Sequence, residues 1–168
     1  MLNIENEIVK LFKEDKKVGI KFLQTVKLSE EFIIEFAEKL NLDWFWISAN
    51  QDLSDEFITK FSDKVDWKAL SRHKKFTNQD IDKFKDKIDW KELVTNNKNL
   101  KEDNIKYLIS NFTDKIDWER LVKRYKYNTS LYNTFKENKN RIDWAKMIYN
   151  GRKHKDPIPD KLINYCIS

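Results

Sequence analysis

Two histidines, one cysteine and a large set of carboxylates are the side chains here that could carry reaction chemistry. His154 lies two residues before Asp156, a spacing at which a carboxylate can orient an imidazole for proton transfer. Both sit beside the basic run "RKHK" (Arg152 to Lys155), where a solvated loop accounts for them as well. His73 is distant in sequence, inside "RHKK" (Arg72 to Lys75), and neither histidine has the neighbours of a metal site. Cys166, the single cysteine, permits neither an internal disulfide nor a thiolate zinc site. With Gly19 and Gly151 as the only glycines, neither a phosphate-cradling loop nor a nucleophile elbow can be written. No catalytic residue, metal ligand or cofactor is assigned, and the expectation is a non-enzymatic protein that works by binding.

Chemistry for binding is more abundant. Basic residues cluster at three junctions: Arg72, Lys74 and Lys75; Lys123, Arg124 and Lys126; Arg152, Lys153 and Lys155. The second cluster interleaves with Tyr125 and Tyr127, and Tyr132 and Phe135 follow, an aromatic–basic mixture of the kind that single-stranded RNA recognition uses. A helix junction and its core would supply the same residues, and cations also favour helix C-termini for dipole reasons. Charge is uneven as well. Residues 1–119 hold 21 basic and 24 acidic side chains, whereas residues 120–168 hold 12 basic and 4 acidic. A basic C-terminal third suits an acidic partner, either nucleic acid or an acidic protein groove. Mimicry of DNA fits only the stretch from Leu28 to Ser71, where 4 basic residues face 10 acidic ones.

The elements that position these clusters follow from a repeat. "KDKIDWKEL" (Lys85 to Leu93) and "TDKIDWERL" (Thr113 to Leu121) are two of five Asp-Trp phrases: Asp43-Trp44, Asp66-Trp67, Asp89-Trp90, Asp117-Trp118 and Asp143-Trp144. Successive pairs are 23, 23, 28 and 26 residues apart. An aliphatic residue always precedes Asp (Leu42, Val65, Ile88, Ile116, Ile142), and an apolar one always stands four after it (Ile47, Leu70, Leu93, Leu121, Met147). Asp is a preferred N-cap and suits the positive end of a helix dipole. Trp then opens a helix, and the aliphatic residue three further on shares its face. Glu92 is placed to complete a capping box with Asp89. The Trp rings either stack nucleobases, one per unit, or pack between successive hairpins; the flanking apolar positions favour packing.

Upstream of each pair a first helix is expected. "LSEEFIIEF" (Leu28 to Phe36) and "LSDEFITKF" (Leu53 to Phe61) share a Ser cap, two acids in the first turn and an apolar stripe. "FTNQDIDKF" (Phe76 to Phe84) keeps Thr77, Ile81 and Phe84 but places Asp80 where Phe57 sits, thinning the stripe. The fourth copy has four extra residues between Leu100 and Asp117, about one helical turn. "SLYNTFKENKNRIDW" is the most degenerate copy. The expected fold is all-α, a solenoid of short helical hairpins forming a single domain over 1–168. Residues 1–27 form an N-terminal cap with Gly19 in a hinge, 28–150 five repeats, and "IPDKLINYCI" within 151–168 a closing half-repeat. In such a stack the three basic clusters would line one edge as a ridge.

The consensus "LSEEFIxKFxDKIDWxxL", spread over about residues 28 to 147, resembles tandem Asp-Trp repeat proteins of bacteriophages, mobile elements and large DNA viruses. The resemblance implies an accessory protein of such an element and carries over no catalytic residue. Small phage proteins of this sort often block host defence by occupying a protein surface, anti-CRISPR inhibitors among them.

Composition agrees with a folded, polar-surfaced helical chain: 168 residues, 36% charged, 40% hydrophobic and 14% aromatic, with 2 Gly and 2 Pro. No apolar run approaches the ~20 residues that cross a bilayer. Acids interrupt the N-terminal stretch where a signal peptide would be apolar. The expected location is a reducing cytoplasm, that of the host cell if the chain is viral, with no membrane partner. The leading expectation is a protein that binds and inhibits or adapts a host protein or ribonucleoprotein. The alternative is an RNA- or DNA-binding module using the basic ridge.

Overall fold

The computed structural model describes residues 7, 9, 10, 12, 13 and 15–167. It is all-α, a repeat solenoid of short helical hairpins: twelve α-helices lie among the described residues, with no strand. They are α1 (Lys16–Thr25), α2 (Glu30–Phe36), α3 (Trp44–Asn50), α4 (Asp55–Lys60), α5 (Trp67–His73), α6 (Asn78–Phe84), α7 (Trp90–Asn96), α8 (Glu102–Phe112), α9 (Trp118–Tyr125), α10 (Tyr132–Glu137), α11 (Trp144–Lys153) and α12 (Asp160–Ile167). The chain divides into two compact units, Met1–Asp89 with Asn97–Asn99, and Trp90–Asn96 with Leu100–Ser168. Each is described by itself.

All five Asp-Trp pairs begin a helix with Trp at its first position. The Asp43, Asp66, Asp117 and Asp143 carboxylates accept from the backbone N–H of Phe45, Ala69, Arg120 and Lys146. First helices are capped by hydroxyls: Ser29, Ser54 and Thr77 accept from Phe32, Phe57 and Asp80 N–H. The four-residue insertion of the fourth copy is spent as one turn, since α8 has 11 residues where α2 and α6 have 7. Three 3₁₀ turns, at Thr113–Lys115, Thr129–Leu131 and Lys139–Arg141, bridge the irregular copies.

In unit 1, α1 packs on α3 and α3 on α5, so the second helices of successive hairpins form one layer. The Trp rings tie each hairpin to the next. Trp44 lies 5.6 Å from Phe61 and Trp67 5.3 Å from Phe84, centroid to centroid. Such aromatic pairs add ~0.5–1.5 kcal/mol beyond their area burial. Register is fixed by polar bonds: Asp66 N–H donates to Ser48 Oγ and Asp89 N–H to Ser71 Oγ, both at 2.9 Å. The aliphatic repeat positions fill the core, with Leu42, Ile47, Val65 and Leu70 all buried.

Unit 2 follows the same plan. α7 packs on α9, and the first helix α10 packs on the closing half-repeat α12. Trp90 lies 5.0 Å from Phe112, and Trp118 is 7% exposed with its indole N–H donating to Thr113 O at 3.2 Å. Trp67 makes the equivalent bond to Ser62 O in unit 1. In the degenerate fifth copy the Trp144 indole N–H is buried without a partner.

Two sequence expectations change. Gly19 is not in a hinge but inside α1, where a Cβ would stand 2.6 Å from the Phe12 ring; its smallness admits that ring, and no turn is needed. Much of the expected N-terminal cap before α1 lies outside the described residues, and α1 stacks on α3 as a second helix does. Asp80 does not merely thin a stripe. It completes a reciprocal capping box with Thr77 and is 7% exposed.

Candidate protein-binding surface

In unit 1 the eighth residue after the repeat Asp closes the junction to a neighbouring hairpin, at Gln51, Lys74 and Asn97. Gln51 Nε2 donates to Leu23 O (2.8 Å) and Val26 O (3.1 Å), and its Oε1 accepts from Leu28 N–H. Asn97, fully buried, donates to Ser71 O (2.8 Å) and Lys74 O (2.9 Å). Lys74 reaches Leu53 O at 3.2 Å and Asp55 at 3.4 Å. These side chains satisfy carbonyls freed where one helix ends, which otherwise cost ~1–3 kcal/mol each when buried. In unit 2 the equivalent position is Tyr125, whose hydroxyl is buried without a partner and whose ionisation burial pushes up. Its neighbour Arg124 takes over, donating to Val94 O at 2.7 Å with its guanidinium over the Tyr125 ring.

This division sorts the sequence-predicted cations. Lys74 and Arg124 are junction clamps. Lys126 is 4% exposed, its ammonium hydrogen-bonded to the Asp156 carboxylate and to Pro157 O at 3.2 Å. Tyr132 and Phe135 are core residues, 5% and 0% exposed. What remains at the surface is Arg72 and Lys75 in unit 1, and Lys123, Arg152, Lys153 and Lys155 in unit 2. The side chains of Arg152, Lys153, His154 and Lys155 have no hydrogen-bond or ion-pair partner among the described residues. Tyr127 and Tyr149 are 72% and 67% exposed, large for aromatic rings.

The acids of Leu28 to Ser71 are largely occupied within unit 1. Glu35 pairs with Lys39, Glu38 with Lys64, Asp52 with Lys27, Asp63 with Lys87 and Asp55 with Lys74. Asp43 and Asp66 are caps, and Glu30 accepts from Ser54 Oγ at 3.0 Å. Exposed pairs of this kind add little stability, but they quench the local field. Eight of the ten acids of the stretch thus have a partner or a capping role. By unit, 17 basic face 18 acidic side chains in unit 1, and 16 face 10 in unit 2. The excess positive charge belongs to unit 2.

A carboxyl pair that the sequence reading did not single out lies between α4 and α6. Burial and a hydrogen bond to Asp55 raise Asp80, while burial of Asp55 is outweighed by its bonds to Asp80 and Lys74, leaving it low. Asp80 is nonetheless buried and engaged in capping, so the pair serves packing.

Unit 2 also holds a cleft of about 490 Å³ between α9 and α11, closed at one side by residues 154–158. Gly151 makes this closure possible, because a Cβ there would meet Asp156 O at 2.9 Å and Pro157 Cα at 3.0 Å. The turn is a Schellman motif: Asp156 N–H donates to Gly151 O, Lys155 N–H to Arg152 O, and Lys155 takes φ 54°. Asp156 is thereby aimed at Lys126 and Lys123, the latter at 3.5 Å. The Lys126 hydrogen bond and both ammonium charges hold its carboxyl below the ordinary range. Other walls are likewise charge-paired, Arg120 with Asp117 and Lys146 with Glu119, both at 2.8 Å. Met147 and Ile158 give an apolar floor. His154 and Asp156 both line this cleft, yet the Asp156 carboxylate is engaged by the two lysines. Among the described residues no cluster of His, Cys, Asp and Glu could hold a metal ion, and no helix is long and apolar enough to cross a membrane. Comparison with protein-family models, with curated proteins and with solved structures finds no match to this chain.

Proposed function

We propose that this chain is a non-enzymatic binding protein that acts on an acidic surface of a host protein or ribonucleoprotein. It inhibits or adapts that partner as an accessory of a phage or mobile element, in the manner of an anti-CRISPR. One observation carries the reading. Excess positive charge and exposed tyrosine gather in unit 2, with 16 basic against 10 acidic side chains, whereas unit 1 is nearly balanced at 17 against 18. Tyr and Arg are the residues that dominate binding energy at protein interfaces, and complementary charge raises the association rate. The repeats serve as a rigid frame, since their Trp and Asp side chains are committed to packing and capping.

A second reading, an RNA- or DNA-binding module, draws on the same Tyr149 and its cationic neighbours, because a base can stack on an exposed ring beside free cations. Against it, the cleft cations Arg120, Lys123 and Lys146 are already paired with Asp117, Asp156 and Glu119, which leaves little free charge there for a run of phosphates. The deciding experiment captures partners on the tagged chain from host lysate at near-physiological salt, then reconstitutes binding with the purified partner. A saturable complex with one protein, insensitive to nuclease, supports the reading. Retention of nucleic acid alone, with affinity falling steeply with salt, sinks it in favour of the second.

A further inference from the structure

α11 turns two faces to its surroundings. Met147 and Gly151 are buried, while Lys146, Tyr149, Asn150 and Lys153 are all exposed. Those four stand at i, i+3, i+4 and i+7, one continuous strip of helix surface. Lysines and asparagine are ordinary on a solvent face; the large ring of Tyr149 at the centre is not, and nothing among the described residues covers it. Lys146 and Asn150 also line the cleft, so the strip and the cleft are one surface.

We propose that this surface, centred on Tyr149 and bounded by Lys153 and Lys123, docks an acidic segment of a partner protein in which carboxylates flank an apolar residue. The inference rests on the binding role proposed above and adds the chemistry of what is bound. Charge complementarity selects the occupant. Lys153 has no partner among the described residues, and Lys123 is 64% exposed at 3.5 Å from Asp156. Asp156 keeps the buried Lys126 when Lys123 swings away, so Lys123 can be recruited at little cost. The apolar residue of the segment lies over the Met147–Ile158 floor. A polyphosphate chain, charged at every unit, fits less well, because Glu119 and Asp156 stand among the cations that line the cleft. A peptide can space its carboxylates to meet only the cations.

The test uses the full chain and a short fluorescent peptide rich in Glu with one central Leu. Its Gln counterpart and a short single-stranded poly-U RNA serve as comparisons, all at near-physiological salt. Saturable binding of the acidic peptide is expected. Tyr149→Ala and Lys153→Glu should each weaken it by about tenfold, as for central interface residues. Arg152→Glu makes the same charge change as Lys153→Glu off the strip, and should alter affinity by no more than about threefold, as rim charges do. Lys75→Glu in unit 1 should change nothing. Equal losses for Arg152→Glu and Lys153→Glu would reduce the effect to net charge and overturn the inference, as would absence of peptide binding or stronger binding of the RNA. A host protein captured equally well by wild type and by Tyr149→Ala/Lys153→Glu would overturn this site while leaving the binding role intact. No protein captured by wild type removes both.

Discussion

Lys126 and Asp156 form an ion pair whose two halves live in different environments, and removing each should have very different consequences. The Lys126 side chain is 5% exposed and that of Asp156 43%. Asp156→Ala strands an ammonium in the interior of unit 2. It keeps the carbonyl oxygens of Pro157 at 3.2 Å and of residue 156 at 3.4 Å, but no counter-charge. Breaking a buried pair from one side costs ~3–5 kcal/mol. The two remaining carbonyls and the half-exposed position of the lost carboxylate reduce this to about 2–3 kcal/mol. Lys126→Met removes the buried charge and keeps the aliphatic stem. The carboxylate left behind is half in water and retains Lys123, so the cost is about 0–1 kcal/mol.

Urea unfolding followed by circular dichroism measures both, with the m-value checking that the transition remains the same one. Combining the substitutions closes the cycle. Asp156→Ala made in the Lys126→Met background should cost less than about 1 kcal/mol, because the stranded charge has gone. If Lys126→Met costs as much as Asp156→Ala, or the second substitution is as harmful in either background, burial of Lys126 is not what governs this site.

Other consequences follow from individual positions. Lys155 sits at φ 54°, so Lys155→Gly should stabilise unit 2 by about 1 kcal/mol in the same urea assay. Gly151→Ala should destabilise it by ~1–3 kcal/mol, because the atoms its Cβ meets are backbone and cannot swing aside. Trp67→Ala removes a ring packed on Phe84 and a bond to Ser62 O, and should cost ~3–5 kcal/mol; a fully stable variant would contradict the packing account. Asp156 has a folded value below its ordinary 3.8, so its contribution is present above that pH and lost as pH falls through the lower folded value. Acid titration of stability should show this limb in wild type and a weaker one in Lys126→Met.

The hairpins were legible in the sequence because each is specified by several agreeing local signals. Asp before Trp, an aliphatic before that and another four after it fix a helix start, a buried face and the position of the bend at once. The one-turn insertion of the fourth copy was legible for the same reason, since a whole turn leaves the buried face in place. Gly19 misled because a lone glycine signals a bend far more often than a close aromatic approach, and the Phe12 ring that requires it is a tertiary fact. Asp80 misled because a polar residue in an apolar register reads as a loss, while its value as a capping partner depends on Thr77 three residues earlier.

The cationic clusters were harder for a reason that bears on where binding occurs. Arg124 and Lys153 look alike as text, each a cation late in a second helix, but one reaches back across a junction to a carbonyl and the other has no partner among the described residues. What separates them is whether the preceding hairpin leaves an unpaired helix end within reach. Gln51 and Asn97 show that the need at such ends is for a hydrogen-bond donor, not for charge. A cation in that role is spent on the frame. Between α11 and α12 the junction is closed by the backbone turn at Lys155 and by Lys126, which reaches Asp156 and Pro157, so no cation of α11 is needed there. The cations of residues 152–155 are free on that account, and the exposed strip of α11 beside them is where an acidic partner finds unspent charge.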